Sequence, residues 1–139
     1  MALWHDLSMP SASVYVSEWV DRPAREVYDY VRDPRHLVHW AHGLGDGVVE
    51  VDGKWFMPTP EGQVQVEFAA ENPFGVLDHD VTTPSGEVVH VPMRVIPDSR
   101  GCEVVFTVRS LPGMTDAELA RDAGLVATDL ATLKSVLEG

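Results

Sequence analysis

Alternating apolar and polar positions dominate the middle of the chain and predict β-strands. The first such run is SVYVSEWV at 13–20. Six more follow it, and they are GVVEV at 47–51, KWFMP at 54–58, QVQVEFAAE at 63–71, GVLDHDVTT at 75–83, EVVHVPMRVI at 87–96 and CEVVFTVRS at 102–110. Short turns such as Asp52-Gly53 separate these runs. Consecutive strands joined by short turns predict an antiparallel sheet of about seven strands.

Two short helices are predicted between the first strand and the second. Asp21 and Pro23 supply a helix start, and the apolar residues of AREVYDYVRD at 24–33 recur at helical spacing. The Asp33-Pro34 pair then ends this helix and opens a second one over RHLVHWAHG at 35–43.

The chain ends in one long predicted helix. Thr115 is a candidate N-cap, and Glu118 three residues later completes a capping box. The apolar residues that follow recur at steps of three and four and form a single stripe: Leu119, Ala123, Val126, Leu130, Leu133 and Leu137. Such a stripe needs a large apolar surface to cover, and the sheet is the only candidate. We therefore predict an α+β architecture in which the long C-terminal helix lies across the sheet.

Composition and charge predict a single domain and disfavour binding to nucleic acid or to membranes. The 139 residues are 45% hydrophobic, which suits one domain over 1–139 with a short N-terminal arm at 1–12. The net charge of −12 disfavours binding to nucleic acid or to an anionic membrane, because both partners are negatively charged. No apolar run approaches the ~20 residues that cross a bilayer, so we expect no membrane insertion.

Cysteine usage and the N-terminus indicate the compartment. Cys102 is the one cysteine, so no internal disulfide forms, which fits a reducing cytoplasm. The segment MALWHDLSMP lacks a basic start and a long apolar run, so it does not resemble a signal peptide. We expect a cytoplasmic location.

The order of elements and two segments of the chain resemble the helix-grip superfamily, which includes START-like lipid carriers, birch-pollen-allergen-like proteins and polyketide cyclases/dehydrases. The segments are VDRPAREVYDYVRDPRHLVHW at 20–40 and LPGMTDAEL at 111–119, and the resemblance covers nearly the whole chain from about Ser13. In the first segment the matching residues are Pro23, Val27, Tyr28, Val31, Asp33-Pro34, Leu37 and Trp40. The resemblance implies a curved sheet of about seven strands that grips the C-terminal helix around an apolar cavity. It does not imply one chemistry, and no cofactor is expected.

The register of one hairpin makes His79 the most informative residue. Alternation places His79 on the apolar face of its strand. A three-residue turn, Pro84-Ser85-Gly86, sets His79 opposite Val91 and Asp80 opposite His90, and it brings the apolar faces of both strands together. His79 is then the only ionisable side chain on an otherwise apolar inner wall.

Two interpretations of His79 stay open. The plainer one is a core histidine whose ring is satisfied by a backbone carbonyl or a water. The functional one is a ligand-binding or catalytic acid/base group, because an imidazole pKa near 6.5 suits both roles. Burial would lower that pKa and favour the neutral form.

We predict a void of at least several hundred Å³ between the terminal helix and the sheet, in the lower part of the usual range for pockets. The resemblance implies that Trp40 lies near the ligand at the cavity mouth. Of the adjacent Trp55 and Phe56 one faces inward, and the sequence does not say which. The candidate cavity residues are Tyr28, Leu37, Trp40, Phe68, His79, Val91, Met93, Phe106, Val126 and Leu130.

Three histidines in the second short helix raise the question of a metal. His36, His39 and His42 recur at intervals of three, whereas helical metal pairs are normally four residues apart. We therefore expect no metal site, and we place Leu37 and Trp40 inward with the histidines at the solvent edge.

Three functions fit the sequence. The first is a carrier or sensor of a small hydrophobic or polyketide-like molecule. The second is a polyketide cyclase/dehydratase-type enzyme with His79 as its acid/base, so whether the chain is an enzyme stays open. The third is a protein-interaction module, for which the acidity and Trp4 are the hints. The ligand and the oligomeric state, a homodimer included, are not given by the sequence.

Overall fold

The computed structural model describes residues 12–41 and 47–139. The arm predicted at 1–12 therefore lies outside the described residues, apart from Ala12. In chain order the elements are β1 (Ser13–Val20), α1 (Ala24–Val31), a 3-10 turn (Pro34–His36), α2 (Leu37–Trp40), β2 (Val49–Val51), β3 (Lys54–Thr59), β4 (Gly62–Phe68), β5 (His79–Thr82), β6 (Val88–Val91), β7 (Met93–Asp98), β8 (Gly101–Arg109) and α3 (Asp116–Glu138).

The strands form two antiparallel sheets, which corrects the prediction of a single sheet of about seven strands. The described residues contain eight strands, in the orders β2-β3-β4-β5-β6 and β1-β8-β7. The extra strand arises at Pro92, which interrupts the predicted run 87–96 between β6 and β7. Proline has no N–H to give to a ladder, and here its carbonyl accepts from the Thr107 N–H at 3.0 Å. The chain therefore pairs with β5 before Pro92 and with β8 after it.

The run predicted as a strand over 75–83 is also shorter than expected. Only His79–Thr82 is a strand, and Val76 makes an isolated bridge to Arg94. Gly75 has a φ of 72°, a left-handed conformation that suits glycine. The side-chain carbonyl of Asn72 accepts from the Val76 N–H at 3.0 Å and holds this segment as a loop.

The helical segment between β1 and β2 also differs from the prediction of two short helices. The first predicted helix is present as α1. The second, predicted over 35–43, is a 3-10 turn followed by the single turn of α2, and its predicted end at Gly43 lies outside the described residues. Asp33 caps the 3-10 turn, because its carboxylate accepts from the Arg35 N–H at 3.0 Å.

The long helix α3 begins as predicted. The Thr115 hydroxyl accepts from the Glu118 N–H at 3.1 Å, and the Glu118 carboxylate accepts from the Thr115 N–H at 2.9 Å. The helix packs against β1, β8 and α2. At its other end Lys134 donates to the Trp19 carbonyl at 2.7 Å, which ties the helix to β1. Within the described ranges, no helix is long and apolar enough to cross a membrane.

The core lies between α3 and the inner faces of the sheets. Met57, Met93 and Leu133 are fully buried there, and Val20 and Val27 close the end near α1. His79 is the one buried polar or charged residue in 12–41 and 47–139. The alternation of the strands therefore produces an apolar interior that contains one imidazole.

Candidate functional site

A cavity of about 260 Å³ lies between the apolar inner walls and α3. It is lined by Leu37, Trp40, Ala41, Val66, His79, Val81, Val91, Phe106, Val108, Asp122, Leu125, Val126 and Asp129. The cavity is smaller than the predicted several hundred Å³. Large side chains fill the rest of the interior. Among them are Met93, Leu130 and Leu133, each of which is at most 1% exposed.

Six of the ten predicted cavity residues line this space together: Leu37, Trp40, His79, Val91, Phe106 and Val126. The other four lie elsewhere. Met93 and Leu130 are part of the packed core. Phe68 packs its ring against His79, at 4.9 Å between ring centroids, without lining the cavity. Tyr28 turns toward the loop after β4, where its hydroxyl oxygen accepts from the Asn72 N–H at 2.9 Å.

The hairpin register that selected His79 is confirmed. His79 lies opposite Val91 and Asp80 lies opposite His90 in the β5–β6 ladder. The Thr83 N–H donates to the Glu87 carbonyl at 2.8 Å, which closes the three-residue turn. This register brings His79 to the inner face, and the cavity lies against it.

The tautomer of His79 follows from its surroundings. Its Nδ1 lies 3.0 Å from the Leu77 carbonyl oxygen, which can only accept, so Nδ1 carries the proton. Burial lowers the pKa of His79 below its ordinary 6.5, although the Leu77 bond opposes that shift. The ring is therefore neutral and its Nε2 carries a lone pair. That nitrogen has no hydrogen-bond partner among the described residues, so it is an acceptor that a ligand can use.

The interpretation of His79 as a structural core histidine explains the position of Nδ1 but assigns no role to Nε2. A core histidine satisfied by a backbone carbonyl was one alternative, and the Leu77 contact provides it. Phe68 and Phe106 border the ring, with centroids 4.9 and 5.9 Å away. The imidazole is therefore surrounded by aromatic rings, and Nε2 is its only polar atom without a hydrogen-bond partner among the described residues.

Two carboxylates on α3 also line the cavity, and the sequence analysis missed them. Asp122 and Asp129 are both half-buried and flank Val126 on the same helix face. They stand four residues before and three residues after Val126, which is the spacing of the apolar stripe itself. The apolar stripe of the C-terminal helix was defined by hydrophobic residues alone, so it did not include these two aspartates. Searching for charged residues at stripe positions would have found both.

Trp40 is inward, as predicted, and belongs to the cavity wall. It is 3% exposed, and Leu37 one turn earlier is 2% exposed. The Trp40 indole Nε1 is buried and has no hydrogen-bond partner among the described residues. Whether Trp40 guards an entrance stays a prediction.

His36 and His39, the two described histidines of this segment, both contact Tyr30. The His36 ring stacks on the Tyr30 ring at 4.0 Å between centroids, and its Nδ1 lies 2.8 Å from the Tyr30 carbonyl oxygen. The His39 Nδ1 lies 2.9 Å from the Tyr30 hydroxyl. His42 lies outside the described residues. Among residues 12–41 and 47–139, no three His, Cys, Asp or Glu side chains group as metal ligands would.

The outer face of the β5–β6 hairpin carries a polar network. His90 Nδ1 lies 2.8 Å from an Asp80 carboxylate oxygen, the pair that the register predicts. Arg94 donates twice to Asp78, at 3.0 Å each. This hydrogen-bonded guanidinium lowers the pKa of Asp78. These groups are paired with one another on the outside of the sheet and help to fix the strand that carries His79.

The choice between Trp55 and Phe56 is settled by strand pairing. Trp55 lies opposite Val66, and Phe56 lies opposite Gln65. Directly opposed residues share a face, and Val66 is buried on the inner face. Trp55 therefore faces inward, although neither residue lines the cavity.

No family model matches the sequence, and no curated protein matches it. Solved structures do match. DynU16, from the dynemicin biosynthetic locus, superposes with a TM-score of 0.68 at 20% identity over 93% of this chain and 48% of DynU16, so the chain spans about half the length of that protein. The Aha1 dimer from Colwellia psychrerythraea gives 0.71 at 15% identity over 91% and 96%. Ara h 8.0201 gives 0.62 at 13% identity over 92% and 99%.

At these identities the similarity establishes the architecture and leaves function open. DynU16 and Ara h 8.0201 both have the helix-grip fold. The long C-terminal helix packed against antiparallel strands in this chain is consistent with that fold. This chain therefore has the helix-grip fold.

Proposed function

We propose that this protein binds a small hydrophobic or polyketide-like molecule in the cavity beside α3, as a carrier or sensor. The observation that carries the proposal is the lining: apolar side chains surround a single buried imidazole whose Nε2 has no hydrogen-bond partner among the described residues. Apolar walls with a few placed polar groups are typical of small-molecule sites. The polar group fixes the orientation of the ligand, and the apolar walls supply most of the affinity.

The size of the cavity limits the ligand. A volume of about 260 Å³ falls just below the ~300 Å³ at which drug-sized sites begin, so we expect a molecule of no more than about three rings. The polyketide alternative draws support from DynU16, which comes from a biosynthetic locus. A cytoplasmic location and a homodimer belong to the same proposal.

A second candidate function is acid/base catalysis of the cyclase/dehydratase type. It is favoured by the tautomer of His79, because a neutral imidazole with an unprotonated Nε2 can accept a proton from a bound substrate. Two carboxylates on the same cavity add further titratable groups. The interaction-module alternative rested partly on Trp4, which lies outside the described residues.

Native mass spectrometry of the freshly purified protein tests the proposal, together with titration of a neutral apolar dye, N-phenyl-1-naphthylamine. We expect a co-purified small molecule or, from the emptied protein, a saturable rise in dye fluorescence at one site per chain. A protein that carries no ligand and gives no saturable dye signal would contradict the binding function.

A further inference from the structure

Arg32 is a half-buried cation without a partner for its charge. It directly follows α1, and its Nε exposes less than 1 Å² and has no hydrogen-bond acceptor. No carboxylate of residues 12–41 and 47–139 forms an ion pair with it. The other half-buried cations of those ranges, Arg22 and Lys134, each donate to a main-chain carbonyl and pair with a glutamate. A buried guanidinium nitrogen without an acceptor costs free energy, which an anionic ligand can recover.

Arg32 lines a second cavity, of about 300 Å³, between the 3-10 turn and strands β3 and β4. This Arg32 cavity shares only Val66 with the cavity beside α3. Trp55 and Phe68 line it as well, although neither lines the first cavity. The wall of the Arg32 cavity therefore combines a guanidinium with aromatic rings.

The charges that line the Arg32 cavity sum to +1, in a chain whose net charge is −12. Arg32 and Lys54 are positive, and Glu67 is negative. The β3–β4 register pairs Trp55 with Val66, so the next pair along the ladder is Lys54 with Glu67. Directly opposed residues share a face, so these two charges balance each other. Arg32 is left as the charge that selects the ligand.

The guanidinium of Arg32 is held in place on one side and is open to a ligand. Its Cζ lies 6.0 Å from the centroid of the Tyr28 ring, and Tyr28 is 2% exposed. Asp33 is bonded to Arg35 instead, and Glu50 on β2 is exposed and does not line the cavity. A planar guanidinium without a protein acceptor can donate to both oxygens of one carboxylate.

We propose that the Arg32 cavity binds a small aromatic carboxylate, whose oxygens accept from the Arg32 guanidinium and whose ring packs against Trp55 and Phe68. This site is additional to the cavity beside α3 and does not depend on the binding function proposed for that cavity. The carboxylate gives Arg32 the acceptor that the described residues do not provide.

Benzoate and benzyl alcohol test the site, because they share one ring and differ in charge. In protein labelled with nitrogen-15, the indole N–H resonance of Trp55, assigned with Trp55→Phe, should shift to saturation with benzoate and stay in place with benzyl alcohol. Arg32→Gln should weaken benzoate binding at least about tenfold. Arg32→Lys should recover only part of that loss, because an ammonium lacks the planar pair of donors.

Arg109→Gln is the matched control, because Arg109 is exposed on β8 and does not line the cavity, so the variant loses the same charge elsewhere. It should bind benzoate like the parent. An absent benzoate shift, an equal shift with benzyl alcohol, or an equal loss in Arg32→Gln and Arg109→Gln would overturn the inference. If circular dichroism shows that Arg32→Gln is unfolded, Arg32→Lys decides, and parental benzoate affinity in that variant would contradict the proposed contact.

The same titration separates this site from the cavity beside α3. Benzoate at the Arg32 cavity should not displace N-phenyl-1-naphthylamine, and Arg32→Gln should bind the dye like the parent. Displacement of the dye that parallels the benzoate shift would place benzoate beside α3 and overturn the inference, while the binding function proposed above would stand.

Discussion

At the scale of single residues, His79 combines a structural contact and an unused acceptor. Its Nδ1–H is held by the Leu77 carbonyl at 3.0 Å, and its ring packs beside Phe68. These contacts fix the ring, so that Nε2 is presented in one orientation. An imidazole in the wall of a cavity is useful both to a binding protein and to an acid/base enzyme, and substitution separates the two functions.

Truncation and replacement of His79 should have different consequences. His79→Ala should leave a folded protein that binds its ligand at least about tenfold more weakly, because it loses ring contacts and one hydrogen bond. His79→Gln keeps a hydrogen-bonding group but cannot transfer protons at neutral pH. A carrier should show only a modest loss of affinity in His79→Gln, whereas an enzyme should keep binding and lose ~10²–10⁴-fold in rate. Titration and turnover assays measure both, and variants that match the parent in both would make His79 a purely structural residue.

The burial of His79 also predicts a pH dependence of stability. Its pKa is lowered in the folded state, so the unfolded chain takes up a proton more readily. The stability that the neutral ring contributes is fully present above about pH 6.5 and is lost as the pH falls through the folded-state pKa. Between about pH 7 and pH 5 the free energy of unfolding should therefore fall more steeply in the parent than in His79→Gln.

Chemical denaturation at several pH values measures that difference. Other histidines, such as His36 and His90, are common to both proteins and cancel in the comparison. The carboxyl of Asp33, whose pKa is lowered to about 2 by the hydrogen-bonded Arg35 side chain, changes stability only at lower pH. Parallel curves for the two proteins would show that the ring of His79 is not held neutral.

Predictions for single residues were correct where they depended only on neighbouring strands. They failed where they depended on how α3 packs against the sheet. The inward position of His79 follows from alternation and one turn, both of which are local in sequence. The roles of Asp122 and Asp129 depend on where α3 lies against the sheet. Hydrophobic periodicity predicts that this face of α3 packs against the sheet. It does not show that an unfilled space would remain beside the two aspartates.

At the scale of elements, each predicted run contains a strand, but the described residues hold eight strands instead of about seven, because one run divides at a proline. On one face of the run 87–96, Val89, Val91, Met93 and Val95 are all apolar, so alternation alone gave no sign of two strands. Pro92 divides it, because the backbone there cannot donate to a neighbouring strand. The consequence is structural: β6 completes one sheet beside β5, and β7 joins the other beside β8.

The shortest helix, α2, carries the residue that should report ligand binding. Trp40 lines the cavity and is almost fully buried. Its fluorescence should respond to an apolar ligand, and Trp40→Phe should abolish most of the response while retaining an aromatic ring in the wall. Trp55 is the matched control, because it lies on the inner face of the sheet but does not line the cavity. Trp55→Phe should therefore keep the response. A full response in Trp40→Phe would place the reporting tryptophan elsewhere.

At the scale of the whole molecule, the sequence predicted an apolar interior covered by a long helix, and the structure has both. The volume could not be predicted, because it is the small difference between the space enclosed by the elements and the side chains that fill it. Met93 and Leu130 were expected to border the cavity and instead fill part of the interior. The resulting space of about 260 Å³ is smaller than the predicted several hundred Å³.

The central claim is that the space beside α3 is a binding site, and filling that space tests it most directly. Val126→Trp places a large side chain in the cavity wall, whereas Val136→Trp makes the same change at a position of α3 that is 41% exposed. In fluorescence titrations with N-phenyl-1-naphthylamine, Val126→Trp should lose binding by at least about tenfold and Val136→Trp should bind like the parent, with both variants folded by circular dichroism. Unchanged dye binding in folded Val126→Trp would contradict the account.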